Sequence, residues 1–376
     1  MPAGGVEHRY PPASEVLGGR WATKKISVAP FGRGWWSFNP CVHRDPMTDT
    51  WRCVLRVANY SLPDGIPQLS VDARRGRAMT RNAIVELDPE TLEISGLREV
   101  LELDSRPRAP TCTSLGYEDV RLFVAGGRLR AVATALQLNL DRPSRPEMAL
   151  LDLSSEGDIT DARPLRGLWS DRPQKNWSPF DGADDVRLLQ SIERGVVVSD
   201  RGIVSAGTAP DPGGAPEPPG VRPPSKSGVE IRVVSTARSG TPAGAPRSPA
   251  TARRSAPGST ELRGGSQLVQ IERDRWLGVA HETRLTHADH RKLYWHTLYT
   301  VDSRGVMLQR SVPFKLSPAH GIEFAAGLAV DDRGGVAISY GTDDHDAWIG
   351  VTTLGEIERA LDPVRADHSK IGSVIR

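Results

Sequence analysis

Two acids and an arginine interrupt an apolar run at residues 115–123, LGYEDVRLF. Leu115, Tyr117, Val120, Leu122 and Phe123 read as a strand, and Glu118, Asp119 and Arg121 sit inside it. Charged groups are seldom fully buried unless paired, because stripping water from them is costly. Such a triplet is therefore either a structural ion pair or a set of groups held for acid–base and charge-binding chemistry. Polar clusters of the same kind recur along the chain. Asn39 and Arg56 lie in FNPCVHRDPMTDTWRCVLRVANY, and Lys175 and Asn176 in QKNW. Gly264, Gly265 and Ser266 form a turn signal in RGGS. His281, Glu282, Tyr294 and His296 lie in WLGVAHETRLTHADHRKLYWHTLYTVD, Glu323 in HGIEFAAGLAVD, and Tyr340, Asp343 and Asp344 in ISYGTDDHDAWIGV. Each cluster is weak alone, but they are spaced about one per repeat-sized block.

The elements that must position these groups are strands. Short apolar runs bounded by Gly, Pro, Asp and Asn recur throughout, while helical periodicity is scarce. RLFVAGGRLRAVATA places a Gly-Gly turn signal between two runs, as a hairpin requires. On pattern alone, sandwich, barrel and propeller are all open. Residues 208–260 break the texture, with eleven of the chain's 30 prolines and much Gly, Ser, Ala and Thr. That composition cannot bury enough apolar surface to fold, so a disordered insertion within one domain is expected. Residues 1–20 and 364–376 are expected to be loosely held around a single domain at 21–363.

Composition narrows the classes. Lys plus Arg is 48 against Asp plus Glu 46, which gives no global reason for a nucleic-acid or anionic-membrane partner. Apolar stretches fall far short of the roughly 20 residues of a membrane span. The N-terminus lacks a basic-then-apolar signal pattern, so a cytoplasmic location is expected. Three cysteines, none in a CxxC pair, speak against a disulfide scaffold or zinc site, and Cys41 and Cys53 are expected as buried thiols. His287 and His290 in HADH are a weak metal signal, and no metal is expected.

The ordered motifs NPCV…VLRV, YEDVR, QKNW, VAHE, IEFAAG and SYGTDD resemble the five-bladed β-propeller β-mannoside phosphorylases of glycoside hydrolase family 130 and the related β-1,2-mannosyltransferases. The resemblance spans about residues 30–360 without the insertion. It implies an all-β five-bladed β-propeller with a shallow pocket at its axis. It also implies a glycoside phosphorylase or glycosyltransferase acting on β-mannosides or related glycosides through a sugar 1-phosphate, with inversion. In that resemblance Asp119 is the proton donor, relayed through a sugar hydroxyl, with Glu118 and Arg121 beside it. Asn39, Arg56, Lys175, Asn176, His281, Tyr294, Tyr340 and Asp344 would face the sugar or phosphate. Small-molecule or oligosaccharide substrates are expected, with inorganic phosphate as co-substrate and no other cofactor; the oligomeric state is open. Two departures matter. Glu282 stands where the family has Gly, and Glu323 falls near the site. Either carboxylate could activate water, so an inverting hydrolase is the alternative, and a propeller that binds carbohydrate without turnover is a third. Only Arg194 stands near the place expected for further phosphate-binding arginines.

Overall fold

The computed structural model describes residues 10–45, 50–63, 68–70, 78–105, 108–109, 112, 114–142, 145–165, 173–206, 261–285, 292–317 and 321–364. The expected insertion at 208–260, the His287–His290 loop and the last residues from 365 lie outside them. Five antiparallel sheets follow one another along the chain. Blade 1 is built on Trp36–Arg44, Trp51–Ala58, Ala78–Leu87 and Ile94–Glu99. Blade 2 comprises Tyr117–Ala125, Arg128–Ala135, Glu147–Leu153 and Ile159–Pro164. Blade 3 runs from Ser178–Pro179 through Leu188–Ser191 and Val196–Ser199 to Gly202–Ala206. Blade 4 holds Arg263–Gly264, Val269–Glu272, Arg275–Leu285, Lys292–Val301 and Met307–Arg310. Blade 5 takes Glu323–Val330, Gly335–Thr342 and Asp346–Thr353, and its outermost strand is the N-terminal Ala22–Ile26.

This last pairing joins the two ends of the chain and closes a five-bladed β-propeller, as expected. Five apolar clusters fill the five junctions between neighbouring blades. Cys41, Val54 and Ile84 of blade 1 pack on Tyr117 and Leu122 of blade 2. Phe123 and Leu150 of blade 2 meet Leu188 and Val198 of blade 3. Leu189 and Val197 meet Tyr299 and Val301 of blade 4. Leu298 meets Leu328 and Ile338 of blade 5, and Ala329 and Ile349 meet Leu55 and Val85 of blade 1. Both faces of each sheet are covered, so the strands read as near-continuous apolar runs.

Buried polar side chains staple the inner strands. Gln267 is fully enclosed and donates to Val42 O at 2.8 Å and Leu328 O at 2.6 Å, while its Oε1 accepts from Leu328 N at 3.3 Å. Ser339 Oγ donates to Pro40 O at 2.6 Å and accepts from Val42 N at 2.9 Å. Cys41 and Cys53 are free and buried, as expected.

The expectation of a loosely held segment over 1–20 does not hold for residues 10–17. A short helix at Ala13–Val16 docks, with Ala13 N donating to Lys315 O at 2.7 Å and Lys315 N to Pro11 O at 3.0 Å. Ala13 and Leu17, four residues apart on one face, are buried against Phe314 and Leu316. No helix of the described residues is long and apolar enough to cross a membrane.

Candidate functional site

In an antiparallel hairpin the first residues of one strand lie beside the last residues of the next. The inner strand of blade 1 begins near Asn39 and its neighbour ends near Arg56; Phe38 and Arg56 face each other in register. Glu118 likewise faces Thr134, and Glu323 faces Thr342 just before Asp343 and Asp344. The polar clusters therefore gather at the same end of each blade. Bulges break the register at this end in blades 1, 2 and 5, and bulges re-aim side chains. Among the described residues, seven non-glycine residues have positive φ, and five belong to these clusters: Asn39, Asp119, Asn176, Asp343 and Asp344. Asn and Asp tolerate this backbone better than other side chains, at a cost of about 1 kcal/mol each.

Asp119 lies at the centre. Its Oδ1 accepts from Asn39 Nδ2 at 2.9 Å and from Arg56 Nη1 at 2.9 Å. Burial works against its charge. The Arg56 and Arg121 guanidiniums, the Asn39 hydrogen bond and Lys175 outweigh burial and hold the carboxyl at about 2. Arg56 is itself buried; its Nη2 donates to Tyr60 Oη and stands 3.3 Å from Glu118 Oε1. Glu118 also accepts from Ser114 Oγ at 3.1 Å. Arg121, fully enclosed, donates to Gly265 O, to Asp119 O at 3.0 Å and to Asn176 Oδ1 at 3.3 Å. It binds blades 2, 3 and 4 together and lies over the Phe324 ring at 5.4 Å. The opening question of LGYEDVRLF has two answers: Arg121 is structural glue, while Asp119 and Glu118 share the Arg56 guanidinium.

His281 stacks on Tyr294 at 5.8 Å and meets Phe324 edge-on at 5.0 Å. Burial first, then the charges of Arg121 and Arg263, keep its imidazole neutral well below the usual range. Tyr294 feels Asp344 and Asp119, and with burial these push its phenol up to about 12. Asp344 completes the ring. Burial raises its carboxyl to about 6, with repulsion from Asp119 and Glu118 added, against the pull of Arg56 and Lys175. Lys175 and Arg263 are exposed and make no hydrogen bond or ion pair among the described residues through their side chains. Gly341 must be glycine, because a Cβ there would collide with the Asn39 amide.

Three residues named from the sequence fall on the other face of their strands. Glu323 is fully enclosed: Oε2 accepts from Leu316 N at 2.7 Å and Ser317 N at 3.1 Å, and Oε1 lies 3.2 Å from Lys315 Nζ. Burial, partly offset by Lys315, raises it to about 7. Tyr340 stacks on Trp348 at 6.5 Å and lines a separate cavity of about 250 Å³ with Trp21, Leu316 and Ser317. Glu282 is half-buried and, one residue on from His281 in an unbroken strand register, points to the opposite face. Arg194 is exposed in the turn after Leu188–Ser191. The residues that sequence reasoning missed are Tyr60, four after Arg56, Arg263 beside the Gly-Gly signal, and Phe324 beside Glu323.

No family model matches the chain, and no curated protein matches it in sequence. Solved structures do. A glycosyl hydrolase from Bacteroides ovatus superposes with a TM-score of 0.50 at 11% identity, over 92% of this chain and 96% of that one. At that identity the likeness establishes the propeller fold. A β-1,2-mannobiose phosphorylase from Listeria innocua has a TM-score of 0.48 at 13% identity, over 93% and 98% of the two chains. A mannose phosphorylase from Leishmania mexicana has 0.47 at 10%, over 91% of each.

Proposed function

We propose that this propeller is a carbohydrate-active enzyme that moves a glycosyl unit between a β-mannoside or related glycoside and inorganic phosphate, through a sugar 1-phosphate and with inversion. One observation carries the reading. The site face offers charged acceptors for sugar hydroxyls on Asp119 and Asp344, and beside them two exposed cations, Lys175 and Arg263, that no described residue neutralises. A neutral sugar and a phosphate fit such a surface side by side. The ordered motifs of the sequence point the same way. Phosphate would attack the anomeric carbon from the face opposite the leaving oxygen. Asp119, ionised, would accept a hydrogen bond from a sugar hydroxyl and stabilise the positive charge that develops on the ring. An ionised Asp119 has no proton to give, so the leaving oxygen needs another acid.

A second reading has one observation in its favour. Asp119 is 9% exposed and committed to Arg56, as in a structural ion pair, which suits a propeller that binds carbohydrate without turnover. The hydrolase alternative loses ground at Glu323, whose carboxylate is occupied by two backbone N–H groups and Lys315. Product analysis decides among the three. β-Mannobiose and longer manno-oligosaccharides are incubated with and without phosphate, and products are followed by phosphorus and anomeric-proton NMR. An α-configured sugar 1-phosphate formed only with phosphate is expected. Free sugar released equally in phosphate-free buffer means hydrolysis, and binding without any product means a lectin-like role.

A further inference from the structure

Three carboxyls and one buried guanidinium share the centre of this site. The donors of Arg56 are committed: Nη1 to Asp119 at 2.9 Å, Nη2 to Tyr60 and toward Glu118 at 3.3 Å. Asp119 has a second donor in Asn39, and Glu118 has one in Ser114. Asp344 has none; its carboxyl makes no hydrogen bond or ion pair among the described residues. Its backbone is nevertheless firmly placed. Asp343 N donates to Ile322 O at 3.0 Å, and Leu62 N donates to Asp343 O at 2.9 Å, tying this turn to the segment of blade 1 that carries Tyr60. Asp343 and Asp344 both hold left-handed conformations, φ 54° and 45°, an arrangement that costs energy and aims the second side chain inward. The groups facing Asp344 are Arg56 and Tyr60 from blade 1, Glu118 and Asp119 from blade 2, Lys175 from the approach to blade 3 and Tyr294 from blade 4. On its own turn, His345 is turned to Asp346 at 2.8 Å.

Resting on the phosphorolytic reading above, we propose that Asp344 is the acid of the site: it holds the proton that Asp119 does not, and delivers it to the glycosidic oxygen. The reasoning is one of charge. Two carboxylates already occupy the only buried guanidinium, and a third carboxyl beside them without a donor is neutral at a pH where the others are ionised. Its placement near 6 agrees with this. The step balances as follows. A phosphate oxygen forms its bond to the anomeric carbon as the bond from that carbon to the glycosidic oxygen breaks. The electron pair stays on the leaving oxygen, which takes the Asp344 proton, directly or through a sugar hydroxyl. The products are a sugar 1-phosphate, the shortened acceptor and an Asp344 carboxylate. In reverse, that carboxylate takes the proton of the acceptor hydroxyl. A group near 6 serves both directions at neutral pH, whereas one at about 2 serves as an acid in neither.

The full-length protein tests this in two arms. First, kcat and kcat/KM for phosphorolysis of β-mannobiose are measured from pH 4.5 to 8.5 for wild type, Asp344→Asn and Asp344→Glu. The ionisation of phosphate is common to all three and cancels in the comparison. Wild-type phosphorolysis should fall as pH rises through about 6. Asp344→Asn should lose about 10²–10⁴-fold in kcat and lose that limb, with Asp344→Glu partly restoring both. Loss confined to KM, with kcat and its pH profile unchanged, makes Asp344 a sugar-binding residue only and overturns the proposal. Second, carbon NMR of aspartate-labelled protein follows the side-chain carboxyl that vanishes in Asp344→Asn. It should titrate near 6 and move to lower pH in Asp119→Asn, because the neighbouring negative charge is gone. Titration near 4 in the wild type overturns the proposal without reference to activity. Wild type inert on every mannoside refutes the delivery step together with the phosphorylase reading, while the NMR arm still decides which carboxyl holds the proton.

Discussion

Replacing Arg56 by Met isolates the charge balance of the site. Methionine keeps much of the apolar stem that packs on Phe38, whose ring lies 5.1 Å from the guanidinium, and removes only the charge and its donors. Two buried carboxylates then lose their shared cation. Breaking a buried pair by removing one partner costs about 3–5 kcal/mol. The Asp119 carboxyl supplies an independent figure: it moves from an ordinary 3.8 to about 2, and a pKa unit is worth about 1.4 kcal/mol, so its pairing stabilises the fold by about 2 kcal/mol. A depressed carboxyl contributes stability above its unfolded value and loses it as pH falls through its folded one. The Arg56→Met deficit should therefore be full at pH 7 and shrink below about pH 4, as Asp119 begins to be protonated in both proteins. Urea denaturation at pH 7 and pH 3.5, with unchanged m-values, reads this out. The double variant Arg56→Met/Asp119→Asn should be more stable than the sum of the single effects implies, since it leaves one fewer unpaired charge. A deficit under about 1 kcal/mol at pH 7, or one that grows on acidification, would refute the view that Arg56 holds these carboxylates in their charged state.

Lys175→Ala and Arg263→Ala should each raise the KM for phosphate about 10–100-fold while leaving the KM for mannoside nearly unchanged, as loss of a charge-assisted hydrogen bond implies; equal phosphate KM values would remove these cations from the phosphate site. Glu323, raised from 4.5 to about 7, stabilises the fold below 4.5 and loses that contribution as pH rises through 7. Glu323→Gln should thus flatten the fall in thermal stability between pH 5 and 8 and keep turnover within about tenfold, whereas a loss beyond about 10²-fold would restore Glu323 as a base. Replacing residues 209–259 by a short Gly-Ser linker should leave the unfolding midpoint within a few degrees, because the Pro-Gly-Ser composition offers little to bury and loop length costs little entropy; collapse of the cooperative transition would show that the segment packs.

The fold was legible because propeller strands are short, bounded by turn residues and repeated, and because polar clusters recurred once per repeat. Ring closure was not. Ala22–Ile26 has an exposed, ordinary ATKKI sequence, and only its pairing with Asp346–Thr353 makes it the last blade's outer strand. Nor was the docked helix at Ala13–Val16, because four residues carry too little periodicity to be read. At the site, Asn39, Arg56, Asp119, Lys175, Asn176, His281, Tyr294 and Asp344 fall in one electrostatically connected group. The misplacements have one cause. Glu323 and Tyr340 were read as facing the sugar from their chemistry, but in a strand successive side chains alternate, and their neighbours Phe324 and Gly341 hold the inward positions. A charged residue in a motif attracts attention that its strand phase does not justify. The bulges add a further layer, since each shifts the phase by one residue at the point where the site begins.

Strain and charge at this site are linked by the same residues. Asn39 and Asp119 occupy left-handed positions in the first turns of two inner strands, and their side chains bond to each other across the junction between blades 1 and 2. A regular strand at either position would send the side chain into the inter-blade core, where Cys41 and Val120 now lie. The bulge therefore lets a polar side chain leave an otherwise apolar ladder and reach the axis, at about 1 kcal/mol per residue. Arg56 offsets part of that cost by pairing with the carboxylate so placed. The arrangement has a consequence for substitution. Asp119→Ala would lose the pairing and keep the left-handed backbone, with a side chain that tolerates it poorly, whereas Asp119→Asn keeps both the backbone preference and an acceptor for Asn39. Chemistry at this position is therefore separable from folding only through asparagine, which is why the carboxyl-to-amide series at Asp119 and Asp344, rather than alanine scanning, can distinguish a proton-holding group from a structural one.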